Sequence, residues 1–279
     1  MKMKHKCLGK RSFGFTLIEL VLTMVVLGIT VLGITGFIEL GTKGYADTVN
    51  RQQLQSQARF VVEKLTREIR HAVPNSFVQD AQCISFFPID YAGVYSELPL
   101  SSSSRQFQFS IVNPDSNTNL SANLNARGLV INPNNQQDLI TQPPSLRLSN
   151  VSRVDNVFTT DLPSPNNFNQ SEVTRSISKR LYIYSHLVRY CLVATQLNGN
   201  RLMRTNIPLT QAANPNSTTA TPIQVADNLT SGSSFASGDT SDPNSDSLSR
   251  SGLVHIKLVF KQNDETTEYE SDIQVLNVP

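Results

Sequence analysis

The chain has 279 residues, enough for one ordinary domain and an extra element, with 16% charged residues and a formal net charge of +2. A nucleic-acid partner would call for a clustered basic face, and this charge balance excludes that class. What charge there is lies unevenly, because Lys2, Lys4, Lys6, Lys10 and Arg11 crowd the start and no acid precedes Glu19.

Next in the chain comes Leu20 to Ile38, a run without a charged residue. It is close to the roughly 20 apolar residues needed to cross a bilayer core, and it predicts a transmembrane helix. Basic residues hold their flank in the cytoplasm, so everything after Ile38 is expected to be exported. In a Gram-negative cell that makes a single-pass inner-membrane protein with a periplasmic body. No proline occurs from Phe15 until Pro74, and the run between them predicts one uninterrupted helix of roughly sixty residues. Residues 15–39 would be its membrane half and residues 40–73 an amphipathic periplasmic half. In the second half, Leu54, Ala58, Val61, Val62, Leu65, Ile69 and Ala72 recur three or four apart, a stripe meant for a core. The other face carries Arg51, Gln55, Arg59, Glu63, Lys64, Arg67, Glu68 and Arg70 and reads as solvated, with possible pairs Arg59–Glu63 and Lys64–Glu68. Arg67, Arg70 and His71 suit the negative end of the helix dipole, and Pro74 with Asn75 ends the helix.

Beyond Pro74 short strands alternate with Asn, Ser, Pro and Gly clusters, so residues 74–279 predict a β-rich domain. Candidate strands are Cys83 to Ile89, Gln106 to Val112, Gly128 to Asn132, Leu146 to Val151, Arg180 to Tyr184, Leu187 to Ala194 and Arg201 to Thr205. Val254 to Phe260 alternates apolar and polar residues, Glu268 to Leu276 mirrors it, and Gln262 to Glu265 would turn between them. Residues 113–126 and 211–250 read as long surface loops with little to bury. The fold class is therefore α+β: one long N-terminal helix whose second half packs on an antiparallel β-sheet domain.

There are three cysteines, Cys7, Cys83 and Cys191, and an odd number is awkward in an exported chain. Removal of a leader carrying Cys7 would leave Cys83 and Cys191 to form one disulfide, closing a loop of about a hundred residues. The chain-entropy model gives such a loop about 4 to 5 kcal/mol. Two separate buried thiols are the alternative.

Gly14, Phe15, Thr16, Leu17, Ile18, Glu19 and Leu20 spell GFTLIEL, directly after the short basic stretch and directly before the apolar helix. This resembles the prepilin family, and the signal is specific because leader, motif and helix occur together in order. The resemblance implies a 1–14 leader, cut by an inner-membrane prepilin peptidase between Gly14 and Phe15, with methylation of the new N-terminal Phe15. A carboxylate within a membrane helix costs about 2.5 to 3.5 kcal/mol and needs a partner or a role. The resemblance supplies one, a pairing of Glu19 with the N-terminal amine of a neighbouring subunit during assembly. Many pilins have a proline partway along this helix, and here Gly28, Gly33 and Gly36 stand instead. A narrower similarity runs through Gln57-Ala58-Arg59-Phe60, Arg67 to Arg70, Pro74-Asn75-Ser76, Cys83 to Ile89, Arg189 to Leu192 and Asn277-Val278-Pro279. These segments look like the larger minor pilins, in particular those of the mannose-sensitive haemagglutinin (MSHA) pilus. Type II secretion pseudopilins share the leader and helix, and a pilus-tip adhesin using the two long loops is a further alternative. The partners implied are prepilin peptidase, other major and minor pilins, the assembly platform and its ATPase.

No GxSxG, HExxH, Walker or Rossmann pattern is present. Ser176-Ile177-Ser178-Lys179 fits Ser-x-x-Lys, a match expected by chance in a serine-rich chain that lacks the accompanying Lys-Thr-Gly. His5, His71, His186 and His255 are too dispersed for metal spacing, and Asp239, Asp242 and Asp246 lack the spacing of a calcium loop. The expectation is a structural subunit with no cofactor, no metal and no enzymatic activity.

Overall fold

The computed structural model describes residues 14–80, 82–99, 104–112, 114, 119–141, 145–162, 176–195, 199–237, 253–263 and 265–275. Lys2 to Arg11 with Cys7, the acids Asp239, Asp242 and Asp246, and the closing Asn277 to Pro279 lie outside the described residues. The architecture is α+β. One long helix, α1 (Leu17–Arg70), is followed by antiparallel sheets, and the chain divides into two compact units, Met1–Gln52 and Gln53–Pro279.

In the first unit, every described residue from Gly14 to Val49 is exposed. Leu, Ile, Val and Met succeed one another around the whole circumference, and the helix is long and apolar enough to cross a membrane. All three hydroxyls between Leu20 and Ile38 bond back to their own helix. Thr23 donates to the Leu20 carbonyl and Thr30 to that of Leu27, both at 2.9 Å, and Thr35 to that of Val31 at 2.8 Å.

In the second unit the helix changes character. Leu54, Ala58, Val61, Leu65 and Ile69 are buried against Ile84, Phe86, Val188, Tyr190, Leu202 and Phe260. Burying each large aliphatic side chain stabilises by about 1.5–3 kcal/mol. Their partners belong to a sheet made of β1 (Val78–Asp80), β2 (Cys83–Phe86), β10 (His186–Ala194), β11 (Asn200–Pro208), β12 (Ile223–Leu229), β13 (Ser234–Ser237), β14 (Leu253–Gln262) and β15 (Glu265–Gln274). Its order is β1-β2-β10-β11-β12-β14-β13, and off this path β15 pairs with β14.

A second sheet has the order β6-β5-β9-β3-β4-β8-β7. Its strands are β3 (Tyr91–Tyr95), β4 (Gln106–Ile111), β5 (Gly128–Val130), β6 (Leu146–Arg147), β7 (Ser152–Val154), β8 (Val157–Asp161) and β9 (Arg180–Tyr184). It closes over its own core of Phe107, Phe109, Leu129, Phe158, Leu181 and Ile183. Ser185 alone separates β9 from β10, so one residue carries the chain from this sheet to the other. A third cluster, including Val73, Phe87, Tyr184, Leu187 and Ile207, fills the space around that crossing. Gly128 is paired with Tyr184 across the strands, and a Cβ on Gly128 would collide with the Tyr184 ring. The Tyr184 hydroxyl donates to the Leu139 carbonyl at 2.6 Å, so the ring cannot simply swing aside.

Three expectations need correcting. Residues 211–250 are not one long loop, because β12 and β13 lie within them and bury Ala226, Leu229 and Phe235. The register of β12 on β11 shifts twice, and Asn228 takes φ 57°, so the apolar alternation that marks a strand is broken. Residues 113–126 contain a short helix, α2 (Leu120–Leu124), which buries both of its leucines. Finally, Glu68 is not on a solvated face, and its partners are described below.

Candidate functional site

Gly14, Phe15 and Thr16 precede the helix in irregular, exposed backbone. The Thr16 hydroxyl oxygen accepts the Glu19 N–H at 3.4 Å. Thr16 is therefore the N-cap and Glu19 the third helical residue, the Thr-x-x-Glu spacing of a capping box. The carboxylate of Glu19 thus lies where unsatisfied N–H groups and the helix dipole favour negative charge. Sequence reading missed Thr16, although Thr-x-x-Glu before an apolar run is the signal that finds it. The structure places Gly14, Phe15 and Glu19 within six consecutive residues at one helix start.

Within the second unit, the helix is fixed to its sheet by polar groups as well as by the apolar stripe. Glu68 accepts hydrogen bonds from Arg204 Nε at 3.0 Å and from the Tyr190 hydroxyl at 2.9 Å, and Lys64 Nζ lies 2.9 Å from its other oxygen. Burial pushes the Glu68 carboxyl up, but the bonds from Lys64, Arg204 and Tyr190 together outweigh it and hold the group below its ordinary range. Burial, then the adjacent Glu68 charge, pushes the Tyr190 phenol far up, so it stays a donor. Immediately before Lys64, on the exposed side of the helix, Glu63 pairs with Arg67 rather than with Arg59. Nearer the start of the helix, Gln57 donates to Asp227 at 2.6 Å.

Cys83 and Cys191 are joined in a disulfide, directly opposite on β2 and β10 with Cα atoms 4.1 Å apart. It closes a separation of 108 residues and ties the second strand after the helix to the first strand after the crossing. Ser176 and Lys179 are engaged separately. The Ser176 hydroxyl oxygen accepts the Arg180 N–H at 3.1 Å, and Lys179 Nζ donates to the Ser96 carbonyl at 2.9 Å. The Lys179 backbone N–H donates to the Ser176 carbonyl at 3.0 Å and closes a tight turn, while the two side chains bond to other partners. His71 Nδ1 lies 2.9 Å from the Arg67 carbonyl at the helix end, and His255 pairs with Asp272. Burial pushes the His186 imidazole below its ordinary value. Among the described residues no group of three or more His, Cys, Asp or Glu could hold a metal ion.

Residues 9–35 match the family model described as the prokaryotic N-terminal methylation motif. No curated protein and no solved structure matches the chain. Motif, long apolar helix and antiparallel sheets together support a type IV pilin-like protein, of a pilus or a pseudopilus. The motif implies processing by prepilin peptidase and assembly with pilus-type machinery in general, and the apolar helix is consistent with anchoring in a membrane.

Proposed function

We propose that the chain is a minor pilin of the MSHA type, a structural subunit and not an enzyme, acting in pilus initiation or assembly. Prepilin peptidase cuts between Gly14 and Phe15 and methylates Phe15. Glu19 then pairs with the N-terminal amine of a neighbouring subunit and sets its axial register. The observation that carries this reading is the methylation motif running straight into a helix that is apolar all round. The finer assignment rests on the similarity of the Gln57 to Phe60, Cys83 to Ile89 and Arg189 to Leu192 segments to the MSHA biogenesis protein MshO. In this reading the body is periplasmic, the helix lies in the inner membrane before assembly, and the finished subunit is part of the surface filament.

Surface pili counted by immuno-electron microscopy, in a strain lacking the gene and in the complemented strain, test the role. Loss of pili restored by complementation is expected. Normal pilus numbers with impaired protein secretion would replace it with the minor pseudopilin reading. One observation favours a tip adhesin as a second reading. A groove of about 960 Å³ on the outer face of β10 and β11 is bordered by residues 215–222 and presents Arg189 and Arg201 beside Val193 and Met203. Normal pilus numbers with lost adhesion in Arg201→Ala would favour that role.

A further inference from the structure

The last strand, β15, has one neighbour. It pairs with β14 over its full length, from Gln262↔Glu265 to Leu253↔Gln274, and among the described residues no other strand pairs with it. Which of its backbone groups point away from β14 follows from β14 itself. The Val259 carbonyl accepts from Thr230 N–H at 2.8 Å, and Val259 N–H donates to the Ser233 hydroxyl at 2.9 Å. Both groups of Val259 therefore point away from β15, and its opposite number Glu268 forms a non-hydrogen-bonded pair with it. By the alternation of an antiparallel ladder, the N–H and C=O groups of Thr266, Glu268, Glu270 and Asp272 point to the open side.

The same residues carry the acids. Glu268, Glu270 and Asp272 alternate with the more enclosed Thr267, Tyr269 and Ser271, and their side chains are 49%, 52% and 64% exposed. Lys257 reaches both glutamates and His255 reaches Asp272, which leaves the row net negative. An acidic row on an edge guards against pairing with a second copy, because antiparallel β15 strands would set acid against acid. It does not guard against a basic strand.

The geometry points to β15 as a strand-addition site for an extended segment of a different protein. That segment carries Lys or Arg at every second residue, with apolar residues between them. Backbone bonds to the open side of Thr266 to Asp272 would supply affinity, and cationic side chains opposite Glu268, Glu270 and Asp272 would set the register. The apolar residues would continue the side on which Tyr269 packs against the core beneath.

The probe is a synthetic peptide of alternating Lys and Val, titrated into the full-length protein in detergent micelles. A lysine opposite Glu268 turns its own N–H toward β15, whereas a valine turns its N–H away. N-methylation at the lysines is therefore expected to weaken binding by more than about tenfold, and the same modification at the valines to leave it nearly unchanged. The triple variant Glu268→Gln, Glu270→Gln, Asp272→Asn, with an unaltered melting curve, is expected to lose about tenfold. Binding indifferent to the site of N-methylation would reduce the effect to bulk electrostatics and overturn the proposal. So would no binding at millimolar peptide, or disulfide cross-linking of Glu270→Cys chains into a β15–β15 dimer.

Discussion

The two stretches of α1 make opposite use of the same backbone. Between Leu17 and Val49 no side chain is buried, whereas from Leu54 to Ile69 every third or fourth residue is fully enclosed. Intrinsic helix propensity does not separate them, since both contain good helix formers together with β-branched residues. Environment does: the first stretch is apolar in all directions and satisfies its own hydroxyls, and the second is apolar along one stripe with charges elsewhere. A hydrophobic residue count alone would rank the first as the better core. It contributes nothing to the core of the folded body.

The sharpest way to break this contrast is at the start of the helix. Gly14→Val is expected to abolish processing, so that the intact mass of the protein retains the leader and Phe15 is unmethylated. Correct cleavage in that variant would remove Gly14 from the proposed site. Next in size are paired leucine truncations followed by denaturant unfolding of the full chain in detergent. Leu65→Ala, in the enclosed stripe, is expected to cost about 2–5 kcal/mol. Leu32→Ala, 77% exposed, should stay within about 0.5 kcal/mol. Equal losses would mean that the two halves are not different in kind.

Replacing Cys83 and Cys191 by serine is expected to cost the body about 2–5 kcal/mol, while the helicity of a membrane-reconstituted sample stays the same. Glycines extend the comparison at smaller amplitude. A Cβ on Gly33 meets nothing within 4 Å, and one on Gly128 strikes Tyr184. Gly33→Ala should therefore strengthen its helix by about 1 kcal/mol, and Gly128→Ala should destabilise the body by about 1–3 kcal/mol in thermal melts.

The smallest effect is electrostatic. Because the folded Glu68 carboxyl is held below the ordinary carboxylate value of 4.5, its contribution is fully present above about pH 4.5 and is lost as pH falls through the lower, folded value. Glu68→Gln should remove about 1 kcal/mol of stability near pH 7 and flatten the melting temperature in that acidic window. An unchanged acid slope would show that Arg204 and Tyr190 do not hold the charged form.

Much of the fold was legible because its signals are local. The α+β order, the continuity of the helix to Arg70 and the Val254 to Phe260 strand with its partner all follow from periodicity and from the absence of proline. What escaped depends on tertiary context. β3 carries Gly93 in the middle of its sheet, where a Cβ would lie 2.5 Å from the Ser110 carbonyl, so its sequence Tyr-Ala-Gly-Val-Tyr does not alternate as a half-buried strand should. Of the strand expected over Leu146 to Val151 only β6 (Leu146–Arg147) forms, and β7 and β8, which follow it and turn at Asp155 with φ 53°, carry no strand signal of their own. Glu68 looked solvated because the residues that bury it, Tyr190 and Arg204, lie more than a hundred positions away. At the candidate site the motif was plain, and the roles of Gly14, Phe15 and Glu19 rest on it. The Thr16 cap was equally readable and went unread.

The threonines of the first helical stretch carry one more consequence. Since Thr23, Thr30 and Thr35 already spend their protons on carbonyls of their own helix, this segment presents no unmet polar demand between Leu20 and Ile38. Passage from one oily surrounding to another then breaks no hydrogen bond and recruits no water, so lipid and a sheath of similar helices are nearly interchangeable solvents for it.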